Sequence, residues 1–194
     1  MKLNATLNKI KSYLKELTIV TFGVFIALAI SNYKEYKQAR DYYMASIETV
    51  NKEVETNYEM LKGIIEAQSE LLDTINKFST NQITLSDLII DKAGGLTGAS
   101  LNNSGLEFYK NNQINSVDFE MMSRLIRMES LTKLIDKKMD KLMDYLYPNL
   151  FVDSEESKML TSLYLSNLLG TEIQLMESYK NFIDEFIDEK HSAK

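Results

Sequence analysis

Residues 17–33 read LTIVTFGVFIALAISNY, a stretch that contains no charged side chain. Its aliphatic and aromatic residues favour insertion at the centre of a membrane by roughly 3 to 5 kcal/mol, against modest costs from its threonines, Gly23 and Asn32. Tyr13 and Tyr33 bracket about 30 Å of helix at 1.5 Å per residue, which matches the hydrocarbon thickness of a bilayer. The stretch therefore predicts a single transmembrane helix.

A cleaved signal peptide is the alternative for this part of the chain. Ala27, Leu28 and Ala29 form the small-x-small pattern that precedes cleavage sites, and the segment before them is basic and then apolar. Helical periodicity nevertheless continues past Tyr33 without the break that a cleavage region favours. We expect the segment to be retained as an anchor.

Residues 1–16 form a short basic tail, with four lysines against the single acidic residue Glu16. Lys34, Lys37 and Arg40 follow the apolar stretch, so basic residues are nearly balanced on its two sides and the positive-inside rule gives only a weak preference. A short basic tail is easier to retain than to export. We therefore predict that the N-terminus lies inside.

Gly23, Ala27 and Ser31 recur every four residues and give one helix face of small side chains. Such a face permits close approach of a second helix in lipid. Small residues are also common in membrane spans without any such role. The pattern predicts a helix-packing face, and the alternative that these small residues have no packing role stays open.

Beyond the anchor, apolar residues repeat at helical spacing over about 30 residues. We call the following positions the seam: Val50, Val54, Asn57, Leu61, Ile64, Gln68 and Leu71. Tyr58, Ile65 and Leu72 widen this stripe beyond what a two-stranded coiled coil buries, which favours a helical bundle. The two polar seam residues either fix register or oligomeric state, or mark a solvent-reachable gap.

The remainder of the chain predicts further helices separated by one loop. Thr84 or Ser86 caps a short helix that ends near Ile90, a loop occupies 93–104, and a second short helix covers 101–111, followed by a turn at 112–116. A long helix should then end at Tyr147 or just before, because Pro148 follows.

Apolar residues in the long helix before Pro148 and in the last helix also recur at intervals of three or four residues. In the long helix before Pro148 they are Met121, Leu125, Met128, Leu131, Ile135, Met139, Leu142 and Leu146. Asp153 or Ser154 should cap the last helix. Its predicted core stripe is Leu165, Leu169, Ile173, Met176, Tyr179, Ile183 and Phe186.

These patterns predict an all-α protein in which an N-terminal transmembrane helix continues into a long helix of an antiparallel helical bundle. The bundle domain should cover 34–190, and 191–194 should be a disordered tail. The single proline and seven glycines among 194 residues agree with long, uninterrupted helices.

Composition also limits the chemistry. The chain has no cysteine, and its one histidine, His191, lies in the predicted tail. Its net charge of −6 argues against nucleic-acid binding, which needs clustered lysine and arginine. We expect no catalytic, metal or cofactor site, because the usual constellations of nucleophile, base and ligands are missing.

Two stretches carry a resemblance to a known family. GVFIALAISNYKE at 23–35 and SGLEFYKN at 104–111 resemble the anchor and the mid-chain Ser-Gly segment of a family of short, uncharacterised single-pass membrane proteins of Bacteroidota. Tyr33 stands where that family usually has tryptophan, and Ala29 where a polar residue is frequent. The resemblance implies an inner-membrane anchor with a periplasmic helical domain, and it implies no catalytic residues.

The leading functional hypothesis is a membrane-anchored interaction, scaffold or accessory subunit of a bacterial envelope complex. Its partners would be membrane lipid and either further copies of the chain or another membrane protein. The alternative is a ligand-sensing periplasmic bundle that signals through a partner, with 94–103 and the short helices forming the pocket. An enzyme is the third and weakest hypothesis.

Overall fold

The computed structural model describes residues 2–112 and 119–188, with side chains described at 11, 13–110 and 119–188. Within those ranges the chain is helical, with no strand, so the predicted all-α class is confirmed. The helices are α1 (Lys2–Lys77), α2 (Asp87–Lys92), α3 (Ser104–Asn112), α4 (Phe119–Asn149), α5 (Glu155–Phe182) and α6 (Ile183–Asp188). α2 and α6 are short π-helical turns.

The chain divides into two units, Met1–Ala45 and Ser46–Lys194. In the first unit the large hydrophobic side chains of 17–33 are all exposed, with exposed fractions between 49% and 71%. This segment belongs to a helix that is long and apolar enough to cross a membrane. Residues 34–45, which we expected to begin the bundle, belong to this first unit.

In the second unit α1 buries one stripe, whose members follow one another at intervals of three or four residues. The stripe consists of Ser46, Val50, Val54, Asn57, Leu61, Ile64, Gln68, Leu71 and Ile75. All seven seam residues are therefore buried. Flanking positions such as Lys62 and Glu66 are exposed, as amphipathic spacing requires.

α4 contributes most of its predicted row to the core, although Leu131 and Met139 are only half-buried. The helix continues through Pro148 to Asn149, so the predicted end before the proline was wrong. A proline in the last turn lacks one backbone N–H, but no later turn is interrupted by the loss. Ser154 caps α5, since its Oγ accepts a 3.0 Å hydrogen bond from the Ser157 N–H.

The predicted core stripe of α5 was wrong in part. Ile173 is 40% exposed, and Met176 and Ile183 are only half-buried. The positions that replace them in the core are Leu168, Glu172, Leu175 and Phe182. α5 is apolar on more than one face, so its hydrophobic spacing admitted two registers.

Glycine ends α2 and opens the following loop. Thr84 is the cap, accepting from the Asp87 N–H at 3.2 Å, whereas the Ser86 side chain makes no capping bond. Gly94 and Gly95 adopt φ values of +75° and +117°, which favour glycine over residues with a Cβ. The predicted loop at 93–104 therefore ends where α3 begins, at Ser104. The expected turn at 112–116 falls almost wholly outside the described residues, as do the tail 191–194 and His191.

Candidate functional site

Asn57 forms two hydrogen bonds with the backbone of the loop that follows α2. Its Nδ2 donates to the Asn102 carbonyl at 2.7 Å, and its Oδ1 accepts from the Asn102 N–H at 3.1 Å. Both bonds join α1 to a backbone segment 45 residues later in the chain. This seam residue therefore positions the loop.

Asn57 also contacts Tyr179 of α5, because Nδ2 donates to the tyrosine Oη at 3.4 Å. Tyr179 is 2% exposed. Burial raises the pKa of its hydroxyl to about 12, although the contacts with Thr132 and Asn57 act in the opposite direction. The hydroxyl accordingly stays neutral at physiological pH and serves as a hydrogen-bonding group.

Glu53, one helical turn before Asn57, caps α3. Its carboxylate accepts from the Gly105 N–H at 2.7 Å and from the Leu106 N–H at 3.3 Å. A carboxylate at a helix N-terminus satisfies unpaired N–H groups and opposes the positive end of the helix dipole. Burial nevertheless raises the pKa of Glu53, since its effect exceeds that of the backbone hydrogen bonds.

Gln68, near the other end of the seam, joins α1 to the loop and to α5. Its Nε2 donates to the Thr97 carbonyl at 2.8 Å and to Glu172 Oε1 at 3.1 Å. Glu172 is completely buried. Burial raises the pKa of its carboxyl to about 7, and the hydrogen bond from Gln68 partly offsets that increase.

We refer to Glu53, Asn57, Gln68, Glu172 and Tyr179 as the polar layer. Its three members on α1 bind the loop and the start of α3. Its two members on α5 accept further hydrogen bonds from Asn57 and Gln68. Gly105 lies close to α1, since a Cβ on it would lie 3.3 Å from Glu53 Oε2 and from Thr49 Cγ2, so a larger residue would displace these two side chains. The polar layer thus fixes an otherwise irregular segment against the bundle.

A buried lysine secures the opposite end of the same unit. Lys158 is 1% exposed, and its Nζ donates to the Asn81 carbonyl and, at 3.0 Å, to Asp153 Oδ1. Asn81 follows α1, and Asp153 precedes α5. The ammonium therefore ties the end of one helix to the beginning of another.

Two surface grooves accompany these contacts. One, of about 410 Å³, lies beside the polar layer and is lined by Glu53, Asn57, Asn102 and neighbouring residues. The other, of about 600 Å³, lies between the first turns of α4 and the last turns of α5, next to Arg124 and Arg127. Arg124 is paired with Glu185 at 2.7 Å.

The other predicted site residues lie apart from this cluster. Gly23, Ala27 and Ser31 are exposed, nothing lies within 4 Å of a Cβ built on Gly23, and the Ser31 hydroxyl donates to Glu35 at 3.2 Å. Their helix-packing role stays a prediction. Among the side chains that the structure describes, no three histidine, cysteine or acidic residues could share a metal ion.

Glu53, Lys158, Glu172 and Tyr179 took no part in the predicted site. One signal was present, since Leu165, Glu172 and Tyr179 follow each other at intervals of seven, which places the glutamate in the core row of α5. No spacing marks Glu53, because its partners are backbone N–H groups about 50 residues later in the chain. Lys158 has the nearby partner Asp153, but its other acceptor is the carbonyl of Asn81, 77 residues earlier.

Comparison with protein-family models, curated proteins and solved structures gives no match. The resemblance to the Bacteroidota family therefore stays a prediction that depends on 23–35 and 104–111 alone.

Proposed function

We propose that the protein is a membrane-anchored helical interaction subunit, a scaffold or accessory component of a bacterial envelope complex. The anchor would be 17–33, whose apolar side chains are exposed on every side of the helix. In water so much exposed apolar surface is unfavourable, whereas lipid accommodates it. We place the anchor in the inner membrane with the bundle in the periplasm, as the basic tail and the family resemblance suggest.

The observation that carries the interaction role is a set of exposed apolar residues in the last turn of α4, in the connection to α5 and in the first turns of α5, which we call the end patch. It consists of Tyr147, Phe151, Val152, Met159 and Leu163, with exposed fractions from 41% to 78%. Single exposed apolar residues are ordinary, but a concentration of them is typical of a protein-binding surface. Aromatic residues and methionine are the types enriched in such interfaces.

The test is the mass of the full-length protein extracted gently from its native membrane, with every copurifying chain identified. We expect a homo-oligomer or a defined complex with a membrane protein. A Phe151→Ser variant should lose the partner, and Ile126→Ser, which changes an exposed residue of α4 away from the end patch, should keep it. A lone monomer in the wild type would refute the proposal.

A ligand-sensing bundle is the second candidate, favoured by the 410 Å³ groove beside the polar layer. Loop residue Asn102 and the start of α3 line that groove together with α1. A small molecule bound there would contact the segment that Asn57 and Glu53 hold. Thermal unfolding of the full-length protein across a metabolite library tests this candidate, and no stabilising compound would count against it.

A further inference from the structure

Two buried oxygens of the polar layer have no hydrogen-bond donor. Glu172 Oε2 and Gln68 Oε1 lack a partner among the described residues, and both side chains are at most 1% exposed. The other polar atom of each side chain does form a hydrogen bond, since Gln68 Nε2 donates to Glu172 Oε1 at 3.1 Å. An acceptor buried without a donor is unfavourable, so this arrangement lacks one proton.

The carboxyl group of Glu172 can supply that proton itself. A protonated carboxyl has one O–H donor, and a primary amide offers both a donor and an acceptor. We propose that Glu172 carries a proton in the folded bundle, forms a two-bond acid–amide pair with Gln68, and acts as a proton-operated latch on the loop 93–103. In that pair Glu172 Oε2–H donates to Gln68 Oε1, which satisfies both oxygens.

Gln68 transmits the state of Glu172 to the loop. One amide N–H of Gln68 holds the Thr97 carbonyl at 2.8 Å, and the other faces Glu172. Loss of the proton would leave a buried carboxylate whose second oxygen has no hydrogen-bond donor among the described residues. Separation of Gln68 from Glu172 would hydrate that carboxylate, and the Thr97 contact would be weakened with it.

Among the residues that the structure describes, the charged groups on the elements around the latch are engaged elsewhere or exposed, so none of them replaces the proton. The loop from 94 to 103 contains no ionisable residue. On α4, the Lys138 ammonium is occupied by Asn167 and Thr171, at 2.6 Å from each side-chain oxygen. Glu129 of α4 is paired with Lys110 and Lys133. On α1, Glu66 and Glu70 are exposed and Glu53 is bound to the start of α3. Tyr179, which is neutral, lies two turns further along α5.

The direction of the pH response follows from burial. The pKa of Glu172 is raised from 4.5 to about 7, so the folded state binds more protons than the unfolded state between these values. The contribution to stability is complete below pH 4.5, falls as pH rises to about 7, and stays low above that. The latch is therefore closed in acid and weakened at alkaline pH.

Hydrogen exchange of the full-length protein in lipid nanodiscs tests the latch. Protection of peptides covering 94–103, corrected for intrinsic exchange, should fall about tenfold or more between about pH 5 and about pH 8. Glu172→Gln replaces the acid–amide pair by an amide pair with the same two bonds, so protection should be independent of pH. Glu177→Gln, an exposed position of α5, should keep the wild-type profile.

Equal protection of the wild-type loop at both pH values would overturn the proposal, and so would an unchanged pH dependence in Glu172→Gln. If that variant does not fold, infrared spectroscopy of the wild type decides. A buried neutral carboxyl band should persist at about pH 6, where exposed carboxyl groups are ionised, and should vanish at about pH 8. Its absence at about pH 6 would refute a protonated Glu172.

Discussion

The two halves of α1 have opposite surfaces. Around 17–33 every large apolar side chain is exposed, whereas from Ser46 to Ile75 the helix buries a single stripe and exposes lysine and glutamate elsewhere. One helix thus contains a segment with apolar residues on all sides and a segment with the two-faced pattern of a bundle. Both segments are helical, so the comparison shows that the order of side chains along a helix determines which of its faces are buried in the bundle.

The largest expected effect concerns an apolar residue of the buried stripe. Leu61 is fully buried, so Leu61→Ala should lower the free energy of unfolding by about 3 kcal/mol through lost burial and a cavity. Leu17→Ala makes the same change at a side chain that is 65% exposed and should alter it by less than about 0.5 kcal/mol. Urea unfolding of both full-length variants in detergent measures the difference. Equal losses of unfolding free energy would show that Leu61 and Leu17 do not differ in burial.

Membrane insertion should be sensitive to substitutions in 17–33 and insensitive to substitutions in the second unit. An arginine at the centre of a membrane helix costs about 2.5 to 3.5 kcal/mol, so Ala27→Arg should reduce the fraction of protein that resists alkaline extraction from membranes. Ala67→Arg changes an exposed alanine of α1 in the second unit and should leave that fraction unaltered. If Ala27→Arg remained fully integrated, 17–33 would not be the anchor.

The polar layer should show an intermediate effect. Asn57→Ala removes both bonds between the buried Asn57 side chain and the Asn102 backbone, and at about 1 kcal/mol for each bond the cost should be about 2 kcal/mol. The neighbouring Thr56→Ala removes one exposed bond to its own helix and should be nearly neutral. Loop protection in hydrogen exchange should fall in the first variant alone. Equal protection in both would show that Asn57 does not position the loop.

The smallest effects compare two glycines of the second unit. Gly63 has nothing within 4 Å of a built Cβ, so Gly63→Ala should stabilise the helix by about 0.5 to 1 kcal/mol. Gly105→Ala should destabilise by about 1 kcal/mol, because its Cβ would press on Glu53 and Thr49. Thermal unfolding gives the sign of each change, and stabilisation by both would show that the approach of α3 to α1 is loose.

Much of the fold could be predicted because helical periodicity is a local property. The seam of α1 and most of the α4 row are buried, and Thr84 and Ser154 are among the predicted caps. α5 was predicted less well, since several of its faces are apolar and the buried Glu172 interrupts the stripe that would have fixed the register. Pro148 was read as a helix end although it lies within the last turn of α4.

The polarity of Asn57 and Gln68 was visible in the sequence, but their task was not. Register fixing and a solvent gap were the two interpretations, and the structure shows a third, in which both amides hold a loop. Their acceptors in the loop are the backbone carbonyls of Asn102 and Thr97, and every residue type has such a carbonyl. No sequence pattern therefore identifies the partner.

The sequence by itself determined the helical class, the apolar anchor-length segment and the buried face of α1, because each depends on the order of side chains along one helix. The tertiary structure alone decided which groups meet across helices, above all the burial of Glu172 beside Gln68 and the capping of α3 by Glu53. These contacts join residues far apart in the chain. Their energies depend on burial and on the position of backbone groups, which only the packed bundle specifies.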